Sequence, residues 1–278
     1  MSQTLLVDAG ATKTAFNVIS DGVVQFEYFG AGINPNYTSE DEISRIIGEF
    51  VRQSGQADRM REVCYYGAGC ASLENAGRMG STIRKFFPNA RVQVYSDLMA
   101  VCHALSRNRR SVVGILGTGA ATCLFDGNTI ENRAPSLGYM LGDEGSGTNL
   151  GKRLLTAYLR EQMPSSLAKQ LEQEHQLSLG EAIHRVYREP SPNTFMASFA
   201  PFVQQNLDNA FVHDLALNAF RDFFSIQKSY YEEGEMLPWN LSGSVAFHFQ
   251  EVLRQAAEIE HCRIGEIIQA PMPLLVTQ

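Results

Sequence analysis

The sequence lacks a dense Lys/Arg block, a C-x-x-C pair, a metal-type histidine spacing and any apolar stretch near the about 20 residues of a membrane span. Each absence removes a class of function. The nearest basic cluster, Arg107, Arg109 and Arg110, reads as a polar turn before a strand, and the formal net charge is −7. A nucleic-acid partner needs a basic face, so it is excluded as the main partner. No membrane partner is expected either. The five cysteines (64, 70, 102, 123 and 262) are odd in number and scattered, which fits a reduced, cytoplasmic setting. The apolar run Leu5–Val7 stops at Asp8, too short for a signal core. Histidines 103, 175, 184, 213, 248 and 261 read as structural or surface residues. The G-x-x-x-x-G-K-[ST] phosphate loop is also missing.

What is present is a chain of 278 residues, 44% apolar and 19% charged, enough for two cores. Thr4–Val7, Ala15–Ile19 and Val23–Phe29 read as strands joined by a turn and an Asp21-Gly22 hairpin. Ser39 and Glu42 form a capping box before Ile43, Ile46, Ile47, Phe50 and Val51 at helical spacing. Val63–Tyr66, a helix over Ala76–Phe87, Val92–Tyr95 and a helix over Leu98–Leu105 continue the alternation of an α/β fold. At Val112–Leu116 the strand, glycine turn, strand and hairpin order restarts, a weak internal repeat that implies two similar domains. Gly147 to about Glu233 reads as largely helical, with Phe220, Phe223 and Phe224 as core. Trp239–Leu241 reads as a strand, Val245–Glu258 as one helix and Gly265–Val276 as a short amphipathic segment.

Five constellations carry chemistry. Asp8, Gly10, Thr12, Lys13 and Thr14 lie in a hairpin turn whose glycine admits an anion and whose hydroxyls, amides and charge can hold phosphate. Asp8 can hold Mg²⁺ directly or through water. Gly117, Thr118 and Gly119 form a second glycine turn at the equivalent place in the repeat. Asp97, at a strand end before a helix, can be a general base or simply a helix cap. Gly142, Asp143 and Glu144 open a Gly-Asp-Glu-Gly-Ser-Gly segment suited to close backbone approach, with acids that can accept hydrogen bonds from sugar hydroxyls. Gly243 and Ser244 sit in a small-residue turn that can admit a flat base.

The order of these motifs resembles the N-acetylglucosamine kinase-like branch of the BadF/BadG/BcrA/BcrD ATPases, in the sugar kinase, actin and heat-shock chaperone superfamily. Gly142–Gly147 carries it most specifically, with Tyr66–Cys70 and Gly243–His248 in support. The resemblance implies two actin-like (ribonuclease H-like) domains with an ATP cleft, residues 1–108 joined by 265–278, and 109–264 with a helical insertion. It implies ATP and Mg²⁺ as cofactors and an amino sugar, N-acetylglucosamine first, as substrate. The turns at 8–14 and 117–119 become phosphate motifs, Gly243 and Ser244 the adenosine motif, and Asp97 the base. Asn34 or Asn36 falls in the sugar-holding loop, and Asp143 is the acid on the sugar. A homodimer is admitted. Ala120-Ala121 departs from the Ser-Asn usual after the second glycine turn. The rivals are an ATPase activator of 2-hydroxyacyl-CoA dehydratases and a non-catalytic sugar or nucleotide sensor.

Overall fold

The computed structural model describes residues 3–10 and 13–277. The chain divides into two compact units, Met1–Ala104 with Pro271–Gln278, and Leu105–Ala270.

The first unit is built on a five-stranded sheet. Its strands are β1 (Gln3–Ala9), β2 (Lys13–Ser20), β3 (Val23–Ala31), β4 (Met60–Gly67) and β5 (Arg91–Ser96), in the order β3-β2-β1-β4-β5. The hairpins β1–β2 and β2–β3 are antiparallel, and β4 and β5 join parallel. Strand alternation sends Leu5, Val7, Ala9, Phe16, Val63 and Tyr65 to one face. There α1 (Glu40–Ser54) and α2 (Leu73–Phe86) cover them with Ile43, Ile46, Ile47, Phe50, Met79 and Ile83. Phe16 stacks on Phe50 at 4.7 Å between ring centroids. The capping box is formed, with Ser39 Oγ accepting from the Glu42 amide. On the opposite face Leu6, Ile19 and Tyr66 pack with Ala100 of α3 (Asp97–Leu105).

The second unit repeats this plan. Strands β6 (Ser111–Leu116), β7 (Ala120–Phe125) and β8 (Ile130–Arg133) form the antiparallel part of its sheet. A helical stretch follows, α4 (Gly138–Leu141), α5 (Gly147–Leu159), α6 (Ser165–His175), α7 (Leu179–Tyr187), α8 (Pro192–Ala197), α9 (Ala200–Gln205) and α10 (Ala210–Lys228). Then come β9 (Pro238–Ser242), α11 (Ser244–His248), α12 (Gln250–Ile259) and β10 (Arg263–Ile268). The sheet order β8-β7-β6-β9-β10 matches β3-β2-β1-β4-β5 strand for strand, so the repeat seen faintly in the sequence is a repeat of topology. Phe220, Phe223, Phe224 and Trp239 are fully buried in its core.

Two local expectations change. The helix expected over Val245–Glu258 is broken at Phe249, which ends α11 and precedes α12. The segment expected to join the first unit from Gly265 onward is divided. β10 pairs with β9 in the second sheet, and only α13 (Met272–Val276) returns to the first unit, where Leu275 packs beside Leu6 and Ala100.

Candidate active site

In the first unit, chemistry gathers at the carboxyl ends of the parallel strands, the edge where open α/β sheets bind ligands. Asp8, next to last in β1, stands opposite Ala15, on the face that carries α3. Asp97 is the first residue of α3. Position bears on whether Asp97 caps the helix. Ser96 Oγ accepts from the Met99 amide at 3.3 Å and is the cap, while Asp97 Oδ1 accepts from the next amide, Leu98, at 2.8 Å. A carboxylate there also faces the positive end of the helix. Burial first, and the Asp97 charge second, push the Asp8 carboxyl above its ordinary range. The two acids therefore sense each other, and a cation beside them relieves that repulsion.

That pairing fits Mg²⁺. No group of three or more His, Cys, Asp or Glu forms a metal cage among the described residues. Mg²⁺ commonly takes one or two carboxylates with phosphate oxygens and water in place of an all-protein cage, and Asp8 with Asp97 supplies that much.

The hairpin turn itself is less open than its sequence suggests. Thr12 lies outside the described residues. The Gly10 amide donates to the Lys13 carbonyl at 3.0 Å, and the Gly10 carbonyl accepts from Ile33 at 3.2 Å, so both groups close the fold. Lys13 Nζ sits 3.5 Å above the Phe29 ring, a cation–π contact. Thr14 stands opposite Ala9, on the α1–α2 face, fully buried, with no partner for its hydroxyl among the described residues. Asp8 and Thr14 thus occupy opposite faces, and the expectation that they share one phosphate cradle is corrected by strand alternation.

Two neighbours of the acids were not singled out from sequence. Burial first, then Asp97, pushes the Cys70 thiol up to about 12, so it stays protonated. The Tyr65 ring lies over Gly67, where a Cβ would come within 2.9 Å of the phenol oxygen, and that oxygen is buried with no partner among the described residues. Burial first, with Cys70 and Asp8 adding to it, pushes the Tyr65 phenol well above its ordinary range. Tyr65 reads as an apolar strand residue because alternation conveys burial and not where the ring bends. Asn34 is half-buried and Asn36 exposed, in a loop folded on itself: the Asn36 amide donates to Asn34 Oδ1 at 3.0 Å.

In the second unit, three predicted elements meet. The Gly117 carbonyl accepts from the Gly147 amide at 2.8 Å, and the Thr118 carbonyl from Thr148 Oγ1 at 2.6 Å. These bonds pin the glycine turn to the start of α5. Gly243 has φ +118°, and a Cβ there would strike the Leu116 carbonyl, so glycine alone lets the late turn approach β6. A cavity of about 330 Å³ opens between Gly117, Thr118, Gly147, Gln204, Ser244 and His248. Gln204 and His248 were not among the sequence candidates; His248 is exposed, within the reading of the histidines as structural or surface, and it lines this cavity. Its position one helical turn after Ser244 was the available signal.

Asp143 adopts φ +59°, and its Oδ1 accepts from the Ala120 amide at 3.0 Å. Burial is the main cause of its raised carboxyl value, partly offset by that bond. Gly142, Asp143 and Glu144 line a second cavity of about 180 Å³ together with Ala120 and Ala121. The acid expected on the sugar is thus also a brace for the second glycine turn. Four of the five cysteines are buried, which opposes a cluster bridged at the surface of a dehydratase activator.

The family model for the BadF/BadG/BcrA/BcrD ATPases matches residues 7–214. The chain belongs to this family. It is 36% identical to a Porphyromonas gingivalis protein whose structure was solved as a "Putative N-acetylglucosamine Kinase", with TM-score 0.93 over 98% of this chain and 97% of that one. A curated relative, the N-acetylmuramic acid/N-acetylglucosamine kinase of Clostridium acetobutylicum, is 24% identical over 166 residues, 58% of this chain and 54% of that protein. The chain thus matches about half the length of that curated relative. A glucokinase of the ROK family from Streptomyces griseus, solved with glucose and AMPPNP, shares the fold at TM-score 0.57 and 14% identity, covering 99% of this chain and 97% of that one. Each of these three relatives carries the name of a sugar kinase. Among the described residues no helix is long and apolar enough to cross a membrane.

Proposed function

We propose that this chain transfers the γ-phosphoryl group of ATP to a hydroxyl of an amino sugar, with N-acetylglucosamine the first candidate. The observation that carries the reading is the pair Asp8 and Asp97 at the carboxyl edge of the first sheet, with Asp97 held at the start of α3 while Ser96 does the capping.

In this reading Asp97 orients the sugar hydroxyl and accepts its proton as the new P–O bond forms. Asp8 holds Mg²⁺, which offsets phosphate charge when bound. Gly10, Thr12 and Lys13 bear on the phosphates from the first turn. Gly117, Thr118 and Gly119 do so from the second. Thr14 acts from beneath the turn and not as a direct ligand. Gly243 and Ser244 wall the adenosine side of the 330 Å³ cavity. Asn34, Asn36, Gly142, Asp143 and Glu144 receive the sugar. Catalysis is then mainly positioning and electrostatics. The compartment is cytoplasmic and a homodimer is its candidate assembly.

The test is a coupled kinase assay over N-acetylglucosamine, glucosamine, N-acetylmannosamine, N-acetylmuramic acid and glucose, with Mg²⁺ and ATP. At least one amino sugar is turned over by the wild type, and Asp97→Asn loses that turnover. Sugar binding with no turnover of any sugar supports a sensor instead. Wild-type rates in Asp97→Asn reject Asp97 as the base.

A further inference from the structure

The loop that contains Asn34 and Asn36 has no regular structure, so something outside it must fix its shape. Within the loop, the Tyr37 and Thr38 amides donate to the Asn34 carbonyl at 2.9 and 2.8 Å, and the Asn34 amide donates to Thr38 Oγ1 at 3.1 Å. These bonds curl the segment but do not dock it. The Ile33 amide ties the start of the loop to the Gly10 carbonyl, and the Asn34–Asn36 part is docked from α2. Asn75, in its first turn, donates through Nδ2 to Asn36 Oδ1 at 2.7 Å and to the Gly69 carbonyl at 2.8 Å. One side chain thereby joins two segments far apart in sequence. One helical turn on, Arg78 Nη2 donates to the Pro35 carbonyl. The helix start is itself fixed, because Ser72 Oγ accepts from the Asn75 amide at 3.2 Å. Gly69 completes the fit. Its φ is +79° and a Cβ would overlap Asn34 Oδ1, so the turn after β4 and the asparagine loop interlock.

We propose that Asn75 and Arg78 are positioning residues that hold the Asn34–Asn36 loop in its substrate-receiving shape, and so set the affinity for the sugar without touching the reacting atoms. The inference rests on the reading of that loop as sugar-holding. The chemistry of the clamp makes it specific. Asn36 can flip its amide to satisfy a carboxylate at position 75, but the Gly69 carbonyl cannot become a donor. Asn75→Asp therefore turns one of the two bonds into a repulsive contact while changing almost no volume.

The test uses the full chain as wild type, Asn75→Asp, Arg78→Lys, and Ser81→Ala as a control on the exposed side of α2. Two readouts are taken. Hydrogen exchange by mass spectrometry follows the 31–39 segment, whose Tyr37 and Thr38 amides report the loop. Steady-state kinetics vary the sugar at saturating ATP and ATP at saturating sugar. The expected result is faster exchange in that segment for Asn75→Asp, a sugar KM raised by about tenfold, and ATP KM and kcat within about twofold of wild type. Arg78→Lys shifts both readouts the same way by less, and it carries the test if Asn75→Asp does not fold. Unchanged exchange overturns the clamp. A fall in kcat alone, or equal rises in both KM values, overturns the positioning role. A wild-type protein that phosphorylates no amino sugar instead rejects the proposed function, and the exchange arm still decides the clamp.

Discussion

Asp143 and Ala120 are joined by a 3.0 Å hydrogen bond from the Ala120 amide to the Asp143 carboxylate, which ties the acidic segment to the second glycine turn within one unit. One residue thus lines the 180 Å³ cavity and braces the second glycine turn. Asp143→Ala leaves the Ala120 amide without its acceptor, at about 1 kcal/mol. Urea unfolding should show that loss. Kinetics should show KM rising for ATP as well as for sugar. A rise confined to the sugar would mean that the brace does not shape the phosphate turn.

Ser96 and Asp97 are neighbours with separable jobs. Ser96→Ala removes the α3 cap and should lower stability by about 1 kcal/mol, with turnover largely kept. Asp97→Asn preserves shape and a side-chain oxygen for the Leu98 amide, so stability should change little. As the proposed base it should lose about 10²- to 10⁴-fold in kcat. The pair of variants therefore separates folding from chemistry, and matched losses of stability in both would deny Asp97 a special role.

Asp8→Asn should stabilise the ligand-free protein while ending its activity. The folded carboxyl is raised by burial and by Asp97. A raised acid binds more protons folded than unfolded, between its unfolded and folded values. Its linkage therefore lowers stability as pH rises through that window. Asparagine removes the term. Calorimetry should find the Tm of Asp8→Asn above wild type at pH 7, and the difference should shrink towards pH 4. A variant less stable than wild type at neutral pH would mean that the carboxylate has a native partner.

Much of the fold was legible because it rests on local rules. The apolar run of β1, the Asp21-Gly22 hairpin, the Ser39 capping box and the restart at Val112 were enough to anticipate two similar α/β domains. The break at Phe249 was not, because Val245–Glu258 holds no proline and no glycine to mark it. The motif at 8–14 was legible as a turn but not as two faces, since strand parity separates Asp8 from Thr14 only once the register is fixed. Asn75 was invisible for another reason. A helix-surface asparagine carries no motif, and its meaning lies in two acceptors supplied by distant segments.

Tyr65→Phe offers a test in which removing a polar group should not destabilise. The phenol oxygen is buried, lies over Gly67, and has no partner among the described residues. A buried donor without an acceptor contributes nothing to hold the fold and retains its desolvation cost, on the order of 1–3 kcal/mol. Phenylalanine keeps the ring packing against the α1–α2 face. Its Tm should equal or exceed that of the wild type. Gly67→Ala provides the contrast, because its Cβ would press on the Tyr65 ring and should lower the Tm. A clear loss of stability in Tyr65→Phe would show that the hydroxyl is bonded in solution, and the nearest groups to examine would then be Cys70 and the turn that follows Gly67.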